Sequence, residues 1–183
     1  MKILTVCPTI RPELFESMQD SFYRTSSDGN VLYPRTTGTV TEAINYVFNK
    51  YPNFDFYHIG NDDCEYLTPQ WDVILAKKGK ITYGEDGIQN QNLCTFPMID
   101  GDIVRALGWL QLPTLTRYSG DQVWHIIGKI LGILEYHPEV VIKHNWQGWD
   151  EKLGFEDLHK ANEWANGHMK EDIEKVRKVI CQK

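Results

Sequence analysis

Two carboxylates stand side by side at Asp62 and Asp63, in the run Ile59-Gly60-Asn61-Asp62-Asp63-Cys64. Adjacent carboxylates repel, and a hard divalent cation relieves that repulsion while preferring oxygen ligands. Such a pair can also hold a ribose. It can equally be an ordinary turn, because Asn and Asp bond their own backbone and tolerate left-handed geometry. His144 ends a late apolar run, where it can complete a metal site or serve as a hydrogen-bonded structural residue. Arg11 sits in the loop after the first apolar run. Its planar fork suits a phosphate or a base, and a solvated surface arginine is the other reading. Asp121 follows Tyr118-Ser119-Gly120, a place for a helix cap or for a base toward an acceptor hydroxyl. Glu85 and Asp86 follow another apolar run and are candidates of the same kind.

Other chemistries find no support. The chain contains no Gly-x-x-x-x-Gly-Lys-Ser/Thr loop, no Gly-x-Ser-x-Gly elbow, no Gly-x-Gly-x-x-Gly and no His-Glu-x-x-His. Four scattered cysteines, Cys7, Cys64, Cys94 and Cys181, form no Cys-x-x-Cys pair, which reads as reduced thiols in a cytoplasmic protein. Cys7 beside Pro8 has no identifiable His partner and reads as a buried strand-end thiol. A net charge of −6 argues against coating nucleic acid, which needs concentrated Lys and Arg. The apolar run before Pro8 is too short for a signal peptide, and no stretch approaches the roughly 20 apolar residues that cross a bilayer.

The elements that must position these residues follow from periodicity. Ile3–Cys7 is apolar without alternation, as in a buried parallel strand. Pro12 and Glu13 suit the first turn of a helix whose apolar face is Leu14, Phe15, Met18 and Phe22. A short strand is expected at Asn30–Tyr33, then a helix starting near Thr39–Thr41 with Thr41 as cap, then a strand at Phe54–Ile59. This β-α-β-α-β order implies a parallel sheet with right-handed crossovers. Ligands of such sheets bind outside the carboxyl ends of the strands, where Arg11 and the Asp62-Asp63 pair fall. Further expectations are a helix at Pro69–Ala76, strands at Ile81–Tyr83 and Leu93–Met98, and a helix from Asp100 or Gly101 to Gly108. A helix at Asp121–Ile130 and a strand at Val140–His144 come next. Trp146, Gly148 and Trp149 make an aromatic loop. The tail from about 157 to 183 is helical and polar, with an apolar stripe of Ile173, Val176, Val179 and Ile180 that folds back on the domain or serves self-association.

With these residues in place, the chain resembles the GT-A glycosyltransferases, particularly small family-2-like ones of bacteria and bacteriophages. Three matches carry the resemblance. The first runs from Ile59 through the Asp62-Asp63 doublet to Thr68-Pro69-Gln70-Trp71-Asp72. The second is the opening strand with Pro8-Thr9-Ile10-Arg11-Pro12. The third is Tyr118-Ser119-Gly120-Asp121-Gln122-Val123-Trp124, followed by Gly128, Gly132, Tyr136-His137-Pro138 and Val140–His144. In order, they span about residues 3–146. Two positions depart from the family: Asn61-Asp62-Asp63 stands for the usual Asp-x-Asp, and Lys143 stands where relatives often have an acid before the His.

The resemblance implies a GT-A fold, a Rossmann-like mixed and mainly parallel sheet flanked by helices. Residues 1–150 would be the catalytic domain and 151–183 a helical extension packed on it. The donor would be a nucleotide-diphosphate sugar, a UDP-sugar first among them, with Mn²⁺ or Mg²⁺ as cofactor. Asp62, Asp63 and His144 would hold the metal, with Asp62 also on the ribose. Pro8, Thr9, Arg11, Glu85, Asp86 and Trp146 would contact the donor, and Asp121 would be the base of an inverting transfer to a hydroxyl. The acceptor is open. A hydroxylated DNA base is one candidate, and a second copy of the chain one source of acceptor contacts. Two other functions remain: a related nucleotidyltransferase, for which Cys7–Pro12 lacks the expected glycine-rich loop, and a non-catalytic nucleotide-sugar-binding module.

Overall fold

The computed structural model describes residues 1–35, 37–145, 148 and 150–181. The opening is β1 (Ile3–Pro8), α1 (Pro12–Thr25), β2 (Asn30–Arg35), α2 (Val40–Lys50) and β3 (Phe56–Ile59). β1 lies between β2 and β3, parallel to both, with Ile3 level with Asn30 and with Phe56. α2 begins one step earlier than Thr41. Thr39 is its cap: its hydroxyl accepts from the Glu42 N–H at 3.2 Å, and the Glu42 carboxylate accepts from the Thr39 N–H at 2.8 Å. This reciprocal box satisfies two of the N–H groups a helix start leaves open. Thr41 is buried instead and accepts from Gln111 Nε2 at 3.1 Å.

The second half adds β4 (Cys64–Tyr66), α3 (Trp71–Leu75), β5 (Ile81–Glu85), β6 (Met98–Asp100), α4 (Gly101–Leu107), α5 (Gly120–Leu131) and β7 (Leu134–His144). The sheet order is β2-β1-β3-β6-β5-β7-β4. β6 and β4 run against the other five strands, so the sheet is mixed and mainly parallel. The strand expected at Leu93–Met98 begins only at Met98, because Phe96 takes a left-handed φ of 52° and Pro97 cannot donate to a ladder. Cys94 and Phe96 are nonetheless buried. The strand expected at Val140–His144 is longer, reaching back to Leu134, with a register shift at Gly84/Glu85 where β5 meets it.

The Thr68-Pro69-Gln70-Trp71-Asp72 run is tied both to β7 and to the segment after α1. Thr68 Oγ1 accepts from the Val141 N–H at 2.9 Å, which fixes the end of β7. Trp71 is fully buried, and the buried Asp72 carboxylate accepts from the Ser27 N–H at 3.0 Å and the Ser27 hydroxyl at 2.6 Å. Apolar residues pack on both faces. Met18, Phe22, Trp71 and Leu75 from α1 and α3 join one cluster; Ile44, Ile103, Trp124 and their neighbours from α2, α4 and α5 join the other. The tail is two helices, α6 (Glu151–Gly167) and α7 (Met169–Ile180). Its Ala161, Trp164, Ile173 and Val176 are buried in the second cluster, so the stripe folds back on the sheet's helices. Among the described residues, no helix is long and apolar enough to cross a membrane.

Beneath the Asp62-Asp63 turn lies a fully buried aromatic group. His58 Nε2 and the Tyr66 hydroxyl are 3.0 Å apart, and the Trp71 ring is 4.6 Å from each of their rings. A Cβ on Gly60 would come within 2.6 Å of that hydroxyl, so only glycine lets the chain pass. Burial pushes the His58 imidazole down to about 3. The unfolded chain therefore takes up a proton near pH 6.5 that the folded protein refuses until far lower. Stability should fall as pH drops from about 6.5 toward 3, by at most about 1.4 kcal/mol per pH unit from this group. Urea unfolding across that range should show the slope, and His58→Phe should flatten it; an unchanged slope in the variant would remove His58 as its source.

Candidate functional site

The loop after β1 and the turn after β3 meet because the two strands are neighbours in register. The Thr9 N–H donates to the Arg35 carbonyl at 2.9 Å, and the Gly60 N–H donates to the Val6 carbonyl at 2.9 Å. That leaves Thr9 and Arg11 facing the carboxylates. Thr9 Oγ1 donates to Asp62 Oδ2 at 2.7 Å, Arg11 Nε donates to the same oxygen at 3.1 Å, and Arg11 Nη2 donates to Asp62 Oδ1. The same Nη2 donates to Asp63 Oδ2 at 3.2 Å. Asp62 is 4% exposed, and its contact with Arg11 is the bidentate fork that guanidinium and carboxylate favour. The Asp62 hydrogen bond and charge raise the Arg11 guanidinium further above its ordinary value.

His144 arrives from the other end of the chain. β4 pairs antiparallel with the end of β7, setting Cys64 opposite His144. The Asn145 N–H donates to the Asp63 carbonyl at 2.7 Å, the His144 N–H donates to the Asp86 carbonyl at 3.0 Å, and the Phe96 ring packs 5.0 Å from the imidazole. His144 Nε2 lies 3.5 Å from Asp63 Oδ1, too far for a good hydrogen bond. Burial alone would raise the Asp63 carboxyl, but the His144 ring and the Arg11 guanidinium outweigh it and hold it below its ordinary value.

Asp121 comes from a third direction. Ser119 occupies the cap position of α5 in a left-handed conformation, φ 63°. Asp121 is thus in the first turn rather than at the cap, and its Oδ1 accepts from the Gln122 N–H at 2.8 Å. Burial pushes its carboxyl above the ordinary value; the Asp86 charge adds to the rise and His144 opposes it. Between these elements is a cleft of about 650 Å³.

Of the residues named from the sequence, Pro8, Thr9, Arg11, Asp62, Asp63, Asp121 and His144 line this one cleft. Glu85 and Asp86 do not. Glu85 turns to the neighbouring strand, accepting from the Gly87 N–H at 2.8 Å and from the Tyr136 hydroxyl. Asp86 is 2% exposed and organises its own loop, its Oδ1 accepting from the N–H groups of Ile88, Gln89 and Asn90 at 2.9, 2.7 and 2.9 Å. Trp146 lies outside the described residues. The cleft also contains Arg35, Gln111 and Arg117, which belong to none of the sequence motifs above. Arg35 ends a parallel strand, so the strand-end rule could have found it; nothing local marks the other two.

A divalent cation fits part of this arrangement. Asp63 Oδ1 is buried and accepts no hydrogen bond among the described residues, and it faces His144 Nε2. An oxygen and a nitrogen each about 2.1 Å from one cation lie roughly 3 to 3.5 Å apart. Asp62 is differently placed, since Arg11 and Thr9 already engage both of its oxygens. Among the described residues, no group of three or more His, Cys, Asp or Glu side chains could hold a metal. Two protein ligands with phosphate oxygens and water completing the shell is a common arrangement for Mg²⁺. The nearby thiols offer no nucleophile: burial pushes Cys7 well up and Cys64 up to about 12, which keeps both protonated.

No family model and no curated protein matches the chain. Solved structures do. A mannosyltransferase from Pyrobaculum calidifontis, solved with GDP-mannose and Mn²⁺, superposes with a TM-score of 0.59 at 11% identity, covering 97% of this chain and 73% of that one. A putative glucose-1-phosphate thymidylyltransferase from Bacillus anthracis, solved with sucrose, gives 0.41 at 11% identity, covering 91% and 96%. The chain has a GT-A-like fold.

Arg11 is the guanidinium that the Asp62-Asp63 pair shares. Arg11→Gln should lower stability at pH 7 by about 1–3 kcal/mol, a buried-pair loss discounted for the partly exposed guanidinium. Urea denaturation measures this, and a variant as stable as the parent would show that the pair does not need the clasp.

Proposed function

We propose that the cleft transfers a sugar from a nucleotide-diphosphate donor to an acceptor hydroxyl. The observation that carries this reading is the Asp62-Asp63 pair at a strand end of a GT-A-like sheet, clasped by Arg11 and opposed by His144. The GDP-mannose and Mn²⁺ bound by the mannosyltransferase that shares the fold support it. Pro8, Thr9 and Arg35 line the part of the cleft at the β1 and β2 ends, which suits the nucleoside. Arg11 places a positive charge beside the departing diphosphate. Asp62 holds Arg11 in place.

Asp63 and His144 would hold the cation, Mn²⁺ or Mg²⁺, whose charge stabilises the leaving diphosphate. Asp121 accepts the proton. As the acceptor oxygen bonds the anomeric carbon, the bond from that carbon to the diphosphate oxygen breaks, the nucleoside diphosphate leaves, and the acceptor proton passes to the Asp121 carboxylate. A carboxyl raised by burial is a better base than one at its ordinary value, because its affinity for the proton lies closer to working pH.

Two variants and one screen test this. Thermal shift with UDP- and GDP-sugars, with and without Mn²⁺, should show stabilisation by at least one donor that grows when Mn²⁺ is present. Release of nucleoside diphosphate should accompany it, and stabilisation without release would favour a binding module. Asp63→Ala should abolish turnover and the added effect of Mn²⁺; unchanged turnover would remove the cation assignment. Asp121→Asn should keep the donor's thermal shift while turnover falls roughly 10²- to 10⁴-fold.

A further inference from the structure

The loop 116–118 borders the cleft and leads straight into Asp121. Its three consecutive N–H groups converge on one side chain of α6, Asp157. Thr116 N donates to Asp157 Oδ1 at 2.9 Å; Arg117 N and Tyr118 N donate to Oδ2 at 2.7 and 2.8 Å. Successive N–H groups gathered in this way form an anion nest, and here the anion belongs to the chain itself. Asp157 is 0% exposed. Lys160, one turn further along α6, donates to Asp157 Oδ1 at 3.1 Å and to Thr116 Oγ1 at 2.9 Å. Burial alone would raise this carboxyl, but the three N–H groups and the ammonium hold it below its ordinary value.

The backbone beyond the nest has little freedom. Thr41 N donates to the Thr116 carbonyl at 3.2 Å, Ser119 is left-handed, and a Cβ on Gly120 would meet Gln111 Oε1 at 2.4 Å. Arg117, Tyr118 and Asp121 all line the cleft. Tyr118 ties the loop to the start of α6 through its hydroxyl, which accepts from the Asp150 N–H at 3.1 Å. The group that gathers all three backbone N–H groups is Asp157, which is not among the cleft's lining residues and sits on a helix that sequence alone marks as an extension.

We infer that Asp157 is a positioning residue for the transfer: by filling the 116–118 nest from α6, it sets where Asp121, Arg117 and Tyr118 meet the substrates. The inference rests on Asp121 being the base. It gives the C-terminal helices a part in the reaction through Asp157.

Asp157→Asn keeps the size and one acceptor oxygen but turns an N–H₂ toward the nest. In hydrogen exchange on the full chain, amides 116–118 should exchange at least about tenfold faster, as expected of a local opening, while β1 and β3 stay protected. With the donor found by the screen, kcat should fall roughly ten- to hundredfold, as expected when a reacting group is misplaced, with the KM for donor within about twofold because the Arg11 side of the cleft is untouched. If that variant fails to fold, Lys160→Met leaves the nest occupied and removes one anchor. It should lower kcat about threefold at unchanged KM, and an unchanged kcat would overturn the inference. Loss of donor affinity in step with kcat, with protection lost throughout, would make Asp157 merely structural and overturn it too. Wild-type protein that turns over no donor sinks the reading of Asp121 and this inference together; wild-type turnover with an unaffected Asp157→Asn sinks this inference alone.

Discussion

Two adjacent carboxylates, nearly buried at the end of a strand, stay charged only if positive groups and hydrogen-bond donors surround them. Much of the local structure follows from that constraint. Thr9 and Arg11 must come from the loop after β1, which requires β1 and β3 to be neighbours in register. His144 must come from the last strand, which requires β4 to leave the Asp62-Asp63 turn and pair with the end of β7. β7 reaches that far only by shifting register against β5 at Gly84, where a Cβ would lie 2.4 Å from the Val140 carbonyl oxygen. The repulsion between two side chains is thus answered from both ends of the sequence.

The cleft has two halves of different origin. The β1, β2 and β3 ends supply arginines and paired carboxylates, the groups that the proposed function assigns to the donor. The other half is the 116–121 segment, whose 116–118 N–H groups all donate to a buried carboxylate on α6. The helices that bring that carboxylate are joined to the domain by packing, with Trp164, Ile173 and Val176 in the same apolar cluster as Trp124. Trp164 also donates to Asp172 at 2.9 Å, which ties α6 to α7. A change in the apolar face of the tail can therefore reach the cleft without touching it.

The first sixty residues were legible because their signals are local. Ile3–Cys7 carries the continuous apolar run of a two-faced buried strand, Pro12-Glu13 opens a helix, and Phe54–Ile59 ends at a glycine. The misplaced features have local explanations as well. Thr39 and Thr41 both suit a cap, and only the reach of Glu42 chooses between them. Leu93–Met98 has a strand's composition but gains its burial as an irregular segment, since Phe96 and Pro97 do not fit a ladder. β4, at three residues, is too short to show any period.

By itself, the sequence determined the sheet class, the β-α-β-α-β succession of its first elements and the residue types able to do chemistry, because periodicity, capping and strand ends depend on neighbours along the chain. Only the tertiary structure decided which of those residues meet. Asp63 faces His144 through strand pairing, Glu85 turns to Tyr136 while Asp86 closes its own loop, and Asp157 holds a loop that the sequence gives no reason to connect with it. Those contacts join segments far apart in the chain, and a buried charge is satisfied by whatever group the packing brings within reach.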